Sequence, residues 1–132
     1  MILNFIDNKK YLSRLFKNIP RIEFFEASSI YLNRNGPTLE LDLLIDITPM
    51  ILPKKYLGQD LNASHIKVSL SPISNLNILN WGVNNIGYFE INNIENKLAV
   101  VFKNRINNEI IFKTDCKFID LKEWVPYRKE LP

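Results

Sequence analysis

The sequence predicts an α+β fold that is mainly β, with one N-terminal helix packed on an antiparallel β-meander. Two observations support this prediction. Apolar residues first recur at helical spacing, at Leu12, Leu15, Phe16 and Ile19,. From Phe24 onward the period changes to two, and turn signals separate eight short strand-like segments,. A sheet with one covered face, and two sheets forming a sandwich or partial barrel, both fit this pattern.

The helix carries start and stop signals. Asp7 or Asn8 can cap its start by accepting a hydrogen bond from an exposed backbone amide,. Asn18 can adopt the left-handed closing conformation, and Pro20 prevents continuation,. We therefore expect the amphipathic helix to close near Asn18 and to pack its apolar side on the core.

The first two strands form a hairpin around the turn Arg34–Pro37, because Asn-Gly accepts positive φ,. Pro37 has no N–H to close a two-residue turn, so we expect a four-residue loop. The residue pattern also predicts the register, because a one-residue shift would place apolar against polar side chains. The predicted pairs are Asn33 with Thr38, Leu32 with Leu39, Tyr31 with Glu40, Ile30 with Leu41 and Ser29 with Asp42.

The segment from Thr48 to Ser64 breaks the alternation and is predicted to be a long loop, since it contains Pro49, Pro53 and Gly58,. No composition shift marks a second domain, so residues 1–132 are predicted to form a single domain. The six remaining strands are predicted at His65–Leu70, Leu76–Trp81, Ile86–Asn92, Leu98–Lys103, Glu109–Lys113 and Cys116–Leu121.

Composition excludes several classes of protein. The chain has 132 residues, a net charge of +3, one cysteine and one histidine. A single cysteine cannot form an internal disulfide, and a single histidine excludes a multi-histidine metal site. No phosphate loop, dinucleotide fingerprint or zinc spacing occurs, so we predict no cofactor and no metal. No signal peptide, membrane span or nucleic-acid motif is recognisable, which predicts a soluble cytoplasmic protein with no nucleic-acid or membrane partner.

Catalytic chemistry is weakly supported. Glu40, Asp42 and Asp46 share one strand face, and paired carboxylates could serve glycoside hydrolysis or bind a hard cation,. A solvated face or a contact surface is the more typical use. His65 lies at an outward-facing position, and Cys116 resembles a small core residue. We therefore predict that the protein is not an enzyme.

Aromatic residues leave an alternative open. Trp81, Tyr88 or Trp124 could provide the stacking surface of a ligand-binding β module, for example one that binds carbohydrate. Core or sheet-edge packing is the more common role for such residues.

A series of short segments runs through most of the chain in a characteristic order. They are Asn18–Ile22, Ile30–Leu41, Pro53–Tyr56, Ile66–Leu70, Leu76–Gly82, Asn85–Ile86, Ile110–Lys113 and Cys116–Leu121. In this order and spacing they resemble the immunity protein 50 family of bacterial polymorphic-toxin immunity proteins, over roughly residues 10 to 122. Asn80 replaces the glycine that usually precedes the tryptophan of the Leu76–Gly82 segment, and Tyr56 stands where a tryptophan is common in the family.

The resemblance implies a cytoplasmic protein that binds and neutralises a cognate toxin, and it supplies no catalytic residues. An inhibitor of this kind needs a rigid scaffold and a complementary patch. A polar strand face and the long loop provide candidates, because tyrosine supplies contact area and the carboxylates could meet a basic toxin. The candidate toxin-contact residues are Tyr31, Asn33, Glu40, Asp42, Lys54, Lys55 and Tyr56.

Overall fold

The computed structural model describes residues 2–47, 54–56 and 58–129. The mainly β, α+β fold class is confirmed, and each predicted strand corresponds to an observed one. A 3₁₀ helix, Ile2–Phe5, precedes helix α1, Lys9–Leu15. The strands are β1 Phe25–Asn33, β2 Thr38–Ile45, β3 Ala63–Ser71, β4 Ser74–Ile78, β5 Ile86–Ile94, β6 Lys97–Asn104, β7 Ile110–Cys116 and β8 Phe118–Tyr127.

All eight strands belong to one antiparallel sheet with the order β4-β7-β6-β5-β1-β2-β3-β8. The predicted meander holds for β1–β2–β3 and for β5–β6–β7, whereas β4 pairs with β7 and β8 pairs with β3. The sheet thus consists of two four-stranded halves. Their junction, between β1 and β5, pairs only Phe25 with Gly87 and Glu26 with Ile86.

Short connections show that this sheet curves back on itself. β3 and β4 are six positions apart in the strand order, which corresponds to about 29 Å in a flat sheet,. Only Pro72 and Ile73 connect them, and such a link spans at most about 10 Å,. Lys117 alone connects β7 to β8, which are equally far apart. Of the arrangements that the sequence left open, the structure is therefore a single open sheet curled so that its halves meet.

The two halves share one hydrophobic core. Phe25 and Phe89 meet across the β1–β5 junction with ring centroids 5.4 Å apart. Phe89 lies 4.7 Å from Phe102, which stacks on Phe112 at 5.6 Å. The same core includes the inward residues of the other half, namely Leu39, Leu41, Leu43, Ile66, Val68 and Leu70.

The hairpin register is confirmed at every predicted pair, from Ser29–Asp42 to Asn33–Thr38. The turn Arg34–Pro37 has four residues, and Gly36 adopts a φ of +110° that a side chain would disfavour,. Leu39 and Leu41 are fully buried, as the apolar face predicts. Leu32, next to the turn, is 58% exposed, and β5 pairs with β1 only at Phe25 and Glu26, so no strand in the described part of the chain lies beside this end of β1 on that side.

Helix α1 is shorter than expected. It ends at Leu15, and Phe16 is already extended, with φ −137° and ψ 140°. Packing explains the early end: the Phe16 ring contacts Trp124 edge-on, with centroids 4.9 Å apart. The predicted core packing of the helix is confirmed, since Leu12 and Leu15 are buried.

The predicted capping by Asp7 or Asn8 is wrong. Asn8 occupies the N-cap position, but its side chain makes no capping hydrogen bond. Its amide instead donates to the Leu121 carbonyl and accepts from the Leu121 N–H. The Asp7 carboxylate accepts from the Ile119 N–H. Both residues satisfy backbone groups of β8, which is an edge strand, and this role takes precedence over capping.

Part of the predicted long loop, including Pro49 and Pro53, lies outside the described residues. Lys54–Tyr56 form a single 3₁₀ turn, and β3 begins at Ala63. Within the described ranges, no helix is both long and apolar enough to cross a membrane.

Candidate functional site

The outward side of β1, β2, β3 and β8 carries polar residues in cross-strand rows. One row runs Tyr31, Glu40, Ser69 and Asp120, each directly paired with the next. The adjacent row is Ser29, Asp42, Lys67 and Glu123. Because β2 and β3 are hydrogen-bonded on both sides, the backbone beneath these side chains is fixed.

The first row forms the floor of an open groove of about 580 Å³, which we call the outer groove. Tyr31 and Leu32 are the exposed apolar members of its lining. Among the described residues, neither Glu40 nor Asp120 makes an ion pair, so both carboxylates remain available to a partner. The lining residues are Tyr31, Leu32, Asn33, Arg34, Thr38, Glu40, Ser69, Ser71, Asp120 and Lys122.

Asp42 shares the strand face with Glu40 but does not present its carboxylate to the surface. Only 7% of Asp42 is exposed, and its Oδ1 lies 3.5 Å from Nε2 of His65. Neither atom has a hydrogen-bond partner in the described part of the chain. The half-exposed His65 side chain covers this carboxylate, which the sequence pattern of alternating residues does not reveal.

The third carboxylate of that face, Asp46, has a different environment. It accepts a hydrogen bond of 3.2 Å from Nζ of Lys129, and this bond and the charge of Asp46 raise the pKa of Lys129. Glu40 thus lies unpaired in the groove, Asp42 is buried beside His65, and Asp46 is the ion-pair partner of Lys129.

Lys54, Lys55 and Tyr56 lie at the other end of β2 from the outer groove. Glu40 and Ile45 are five residues apart on β2, which is about 17 Å, and the turn follows beyond Ile45,. Nζ of Lys55 lies 5.0 Å from the centre of the Tyr56 ring. The structure therefore brings Tyr31, Asn33 and Glu40 together and places the loop residues elsewhere.

Asp120 and Lys122 complete the groove, and no sequence pattern indicates them. They reach it because β8 pairs with β3, although almost fifty residues separate the two strands. A pairing between distant segments leaves no local pattern in the chain.

A second cleft, of about 830 Å³, lies at the β1–β5 junction. Its wall includes Phe24, whose ring lies edge-on to Tyr88 at 6.5 Å and under the Arg105 guanidinium at 5.9 Å. The Tyr88 hydroxyl donates to Oδ1 of Asn108 at 2.8 Å.

The three aromatic residues considered for carbohydrate binding do not share a site. Tyr88 lines the junction cleft, Trp81 lies in the loop after β4, and Trp124 is 5% exposed against Phe16. Trp81 and Tyr88 are thus separate positions, and burial removes Trp124 as a stacking surface.

Cys116 is buried, as predicted for a core residue. Burial raises the pKa of its thiol to about 12, with smaller contributions from the charges of Asp7 and Asp115. The described residues include no group of three or more histidine, cysteine, aspartate or glutamate side chains placed to hold a metal ion.

Comparison with known proteins identifies the family. A family model described as Immunity protein 50 matches residues 8–127, which include α1 and all eight strands. No curated protein matches the chain significantly, and no solved structure does so either. Because the match covers most of the sequence, the chain belongs to the immunity protein 50 family.

Proposed function

We propose that this protein is a bacterial immunity protein that binds and neutralises the cognate toxin of a polymorphic toxin system. It acts in the cytoplasm of the producing cell, without catalysis, as a single domain of residues 1–132. The observation that supports this function best is the family match over residues 8–127. Neutralisation by binding requires shape and charge complementarity rather than a reactive group.

The outer groove is the proposed contact surface. The middle of its floor, Glu40 and Ser69, lies on β2 and β3 in the interior of the sheet, so the backbone beneath these side chains is fixed before the toxin binds. Binding to such a surface loses little conformational entropy, which favours tight association. Tyr31 is more than half exposed at the groove, and tyrosine is among the residues that most often dominate binding energy,.

Charge indicates the chemistry of the partner. Glu40 and Asp120 flank Ser69 on successive strands, which places their backbones about 10 Å apart,. A lysine or arginine side chain of the toxin can enter between these two carboxylates. Arg34 and Lys122 also line the groove, so its charges balance, and the toxin residue is attracted locally by the Glu40–Asp120 pair rather than by an acidic surface,.

The function is tested by co-expression with the toxin domain encoded beside this protein. We expect restored growth of the host cell and a complex that co-purifies. Absence of a toxin gene, or of both rescue and complex, would refute the proposed function.

The contact surface is tested separately with the purified complex. Tyr31→Ala is expected to weaken binding by about 2 kcal/mol, a factor of about 30, and Glu40→Arg by at least as much. Glu95→Arg, in the β5–β6 turn of the other half, is the matched control for the charge change. Tyr56→Ala tests the loop Lys54–Tyr56 as an additional contact. Unchanged affinity for both groove variants, with immunity intact, would place the toxin on another surface.

A further inference from the structure

The two edge strands of the sheet, β8 and β4, differ in whether other residues cover their free backbone groups. At the β8 edge, the N-terminal segment occupies backbone groups that an added strand would use. The Asp7 N–H donates to the Ile119 carbonyl at 2.8 Å, and the side chains of Asp7 and Asn8 bond Ile119 and Leu121. The Tyr11 hydroxyl accepts a hydrogen bond of 3.2 Å from the backbone N–H of Trp124. This edge is therefore blocked along much of its length.

The β4 edge has no such cover in the described part of the chain. β4 pairs with β7, where Asn77 lies opposite Lys113 and the Leu79 N–H donates to the Ile111 carbonyl. In an antiparallel pair, alternate residues direct their N–H and C=O groups away from the partner. The register of this pair shifts between Ser74 and Asn77 and is regular from Asn77 onward. The N–H and C=O groups of Ile78 and Asn80, and the carbonyl of Leu76, therefore point to the free edge.

The segment that contains this edge is unusual in charge. Residues 71–89 include no aspartate, glutamate, lysine, arginine or histidine, although 23% of the chain is charged. Exposed edges of soluble sheets are normally protected by charged side chains or proline. Here four apolar residues are exposed beside the open edge instead: Ile78, Leu79, Trp81 and Val83.

The apolar loop after β4 is held in place rather than loose. The Gly82 N–H donates to Oδ1 of Asn85, and Nδ2 of Asn85 donates back to the Gly82 carbonyl, both at 2.8 Å. Asn85 is buried, and its carbonyl accepts from the Ala27 N–H. Val83, which is 97% exposed, therefore lies in a turn that these hydrogen bonds hold in one conformation. Such an arrangement reduces the entropy that binding would cost.

We propose that the β4 edge binds a second copy of this chain, antiparallel, so that two sheets continue across a twofold axis. With Ile78 on the axis, Leu76 of each copy faces Asn80 of the other. The outward groups of Ile78 and Asn80 and the carbonyl of Leu76 then form about four interchain hydrogen bonds. A twofold axis sets identical surfaces against each other, and an uncharged strip is the surface on which two chains of charge +3 can meet without repulsion,. The outer groove, on the other half of the sheet, stays free.

The proposal is tested by sedimentation equilibrium of the purified chain over a range of concentrations. We expect a species of twice the 15.5 kDa chain mass to become dominant as concentration rises. Ile78→Lys places two like charges on the axis and is expected to raise the dimer dissociation constant at least about tenfold. Ile94→Lys is the matched control, because Ile94 is also an exposed strand isoleucine but lies in the β5–β6 hairpin. A wild-type chain that stays monomeric throughout, or equal effects of the two variants, would overturn the proposal.

Amide hydrogen exchange of the wild-type chain provides a test that does not depend on any variant folding. The amides of Ile78 and Asn80 should become more protected as the chain concentration rises. Protection that appears only when toxin is added would assign the edge to the toxin and contradict the proposed dimer. Toxin neutralisation without any dimer would likewise overturn this inference while leaving the proposed function in place.

Discussion

Replacing Gly87 by alanine should strongly destabilise the protein, because this position joins the two halves of the sheet. Gly87 pairs with Phe25 of β1 and with Asn104 of β6. A Cβ atom at this position would lie 1.9 Å from the carbonyl oxygen of Lys103 and 2.8 Å from its carbonyl carbon. Both atoms belong to backbone that the β5–β6 pairing fixes.

The size of the effect follows from this geometry. Cβ contacts below 3.0 Å are essentially never seen, so β5 and β6 must separate by more than 1 Å. Overpacking of this kind costs about 1–3 kcal/mol, and weakening of a neighbouring ladder hydrogen bond adds about 1 kcal/mol. We therefore expect a loss of about 3 kcal/mol in the free energy of unfolding. For a chain of this length, that corresponds to a fall in Tm of roughly 10–15 °C.

Gly82→Ala is the matched control. An added Cβ at Gly82 meets no atom within 4 Å, and the residue does not have positive φ. Its free energy of unfolding should therefore change by no more than about 0.5 kcal/mol. Urea unfolding followed by circular dichroism measures both variants. Equal stability of the two variants would refute the assigned close approach of β5 and β6.

The N-terminal segment and Cys116 each allow a direct test of a buried contact. Asn8→Ala removes two hydrogen bonds to Leu121 and should cost about 1–3 kcal/mol in urea unfolding, whereas Asn93→Ala, an exposed residue of β5 without a side-chain hydrogen bond, should cost little,. Equal losses would show that the Asn8 contacts contribute nothing. Because the pKa of Cys116 is about 12, its thiol stays protonated at pH 8 and should resist iodoacetamide until urea unfolds the chain,. Rapid labelling of the folded chain would contradict the assigned burial.

Local pattern predicted the parts of the fold that depend on neighbouring residues. The β1–β2 register follows from alternation on both sides of a four-residue turn, and every predicted pair is present. The partners of β4 and β8 depend on contacts between distant segments, which alternation does not encode. The roles of Asp7 and Asn8 were missed for the same reason, since β8 lies more than a hundred residues away.

In the candidate site too, sequence pattern predicts the contacts between neighbouring strands of the hairpin but not those between distant segments. Tyr31 and Glu40 share the outer groove because the hairpin register places them opposite each other. Asp120 joins them only through the β3–β8 pairing, and Asp42 is buried by a histidine on the neighbouring strand. Alternation predicts which face a side chain occupies, but its burial depends on the side chains beside it.

Titration of the purified toxin domain with this protein, with binding followed by calorimetry and residual toxin activity measured on the same mixtures, shows whether the protein neutralises a toxin by binding it. The proposed function predicts saturable binding of one toxin per chain, with toxin activity falling to zero at equivalence, and a loss of both when Tyr31 and Glu40 are substituted together. Full toxin activity in the presence of excess protein, with no heat of binding, would contradict the claim that this protein neutralises a toxin by binding it.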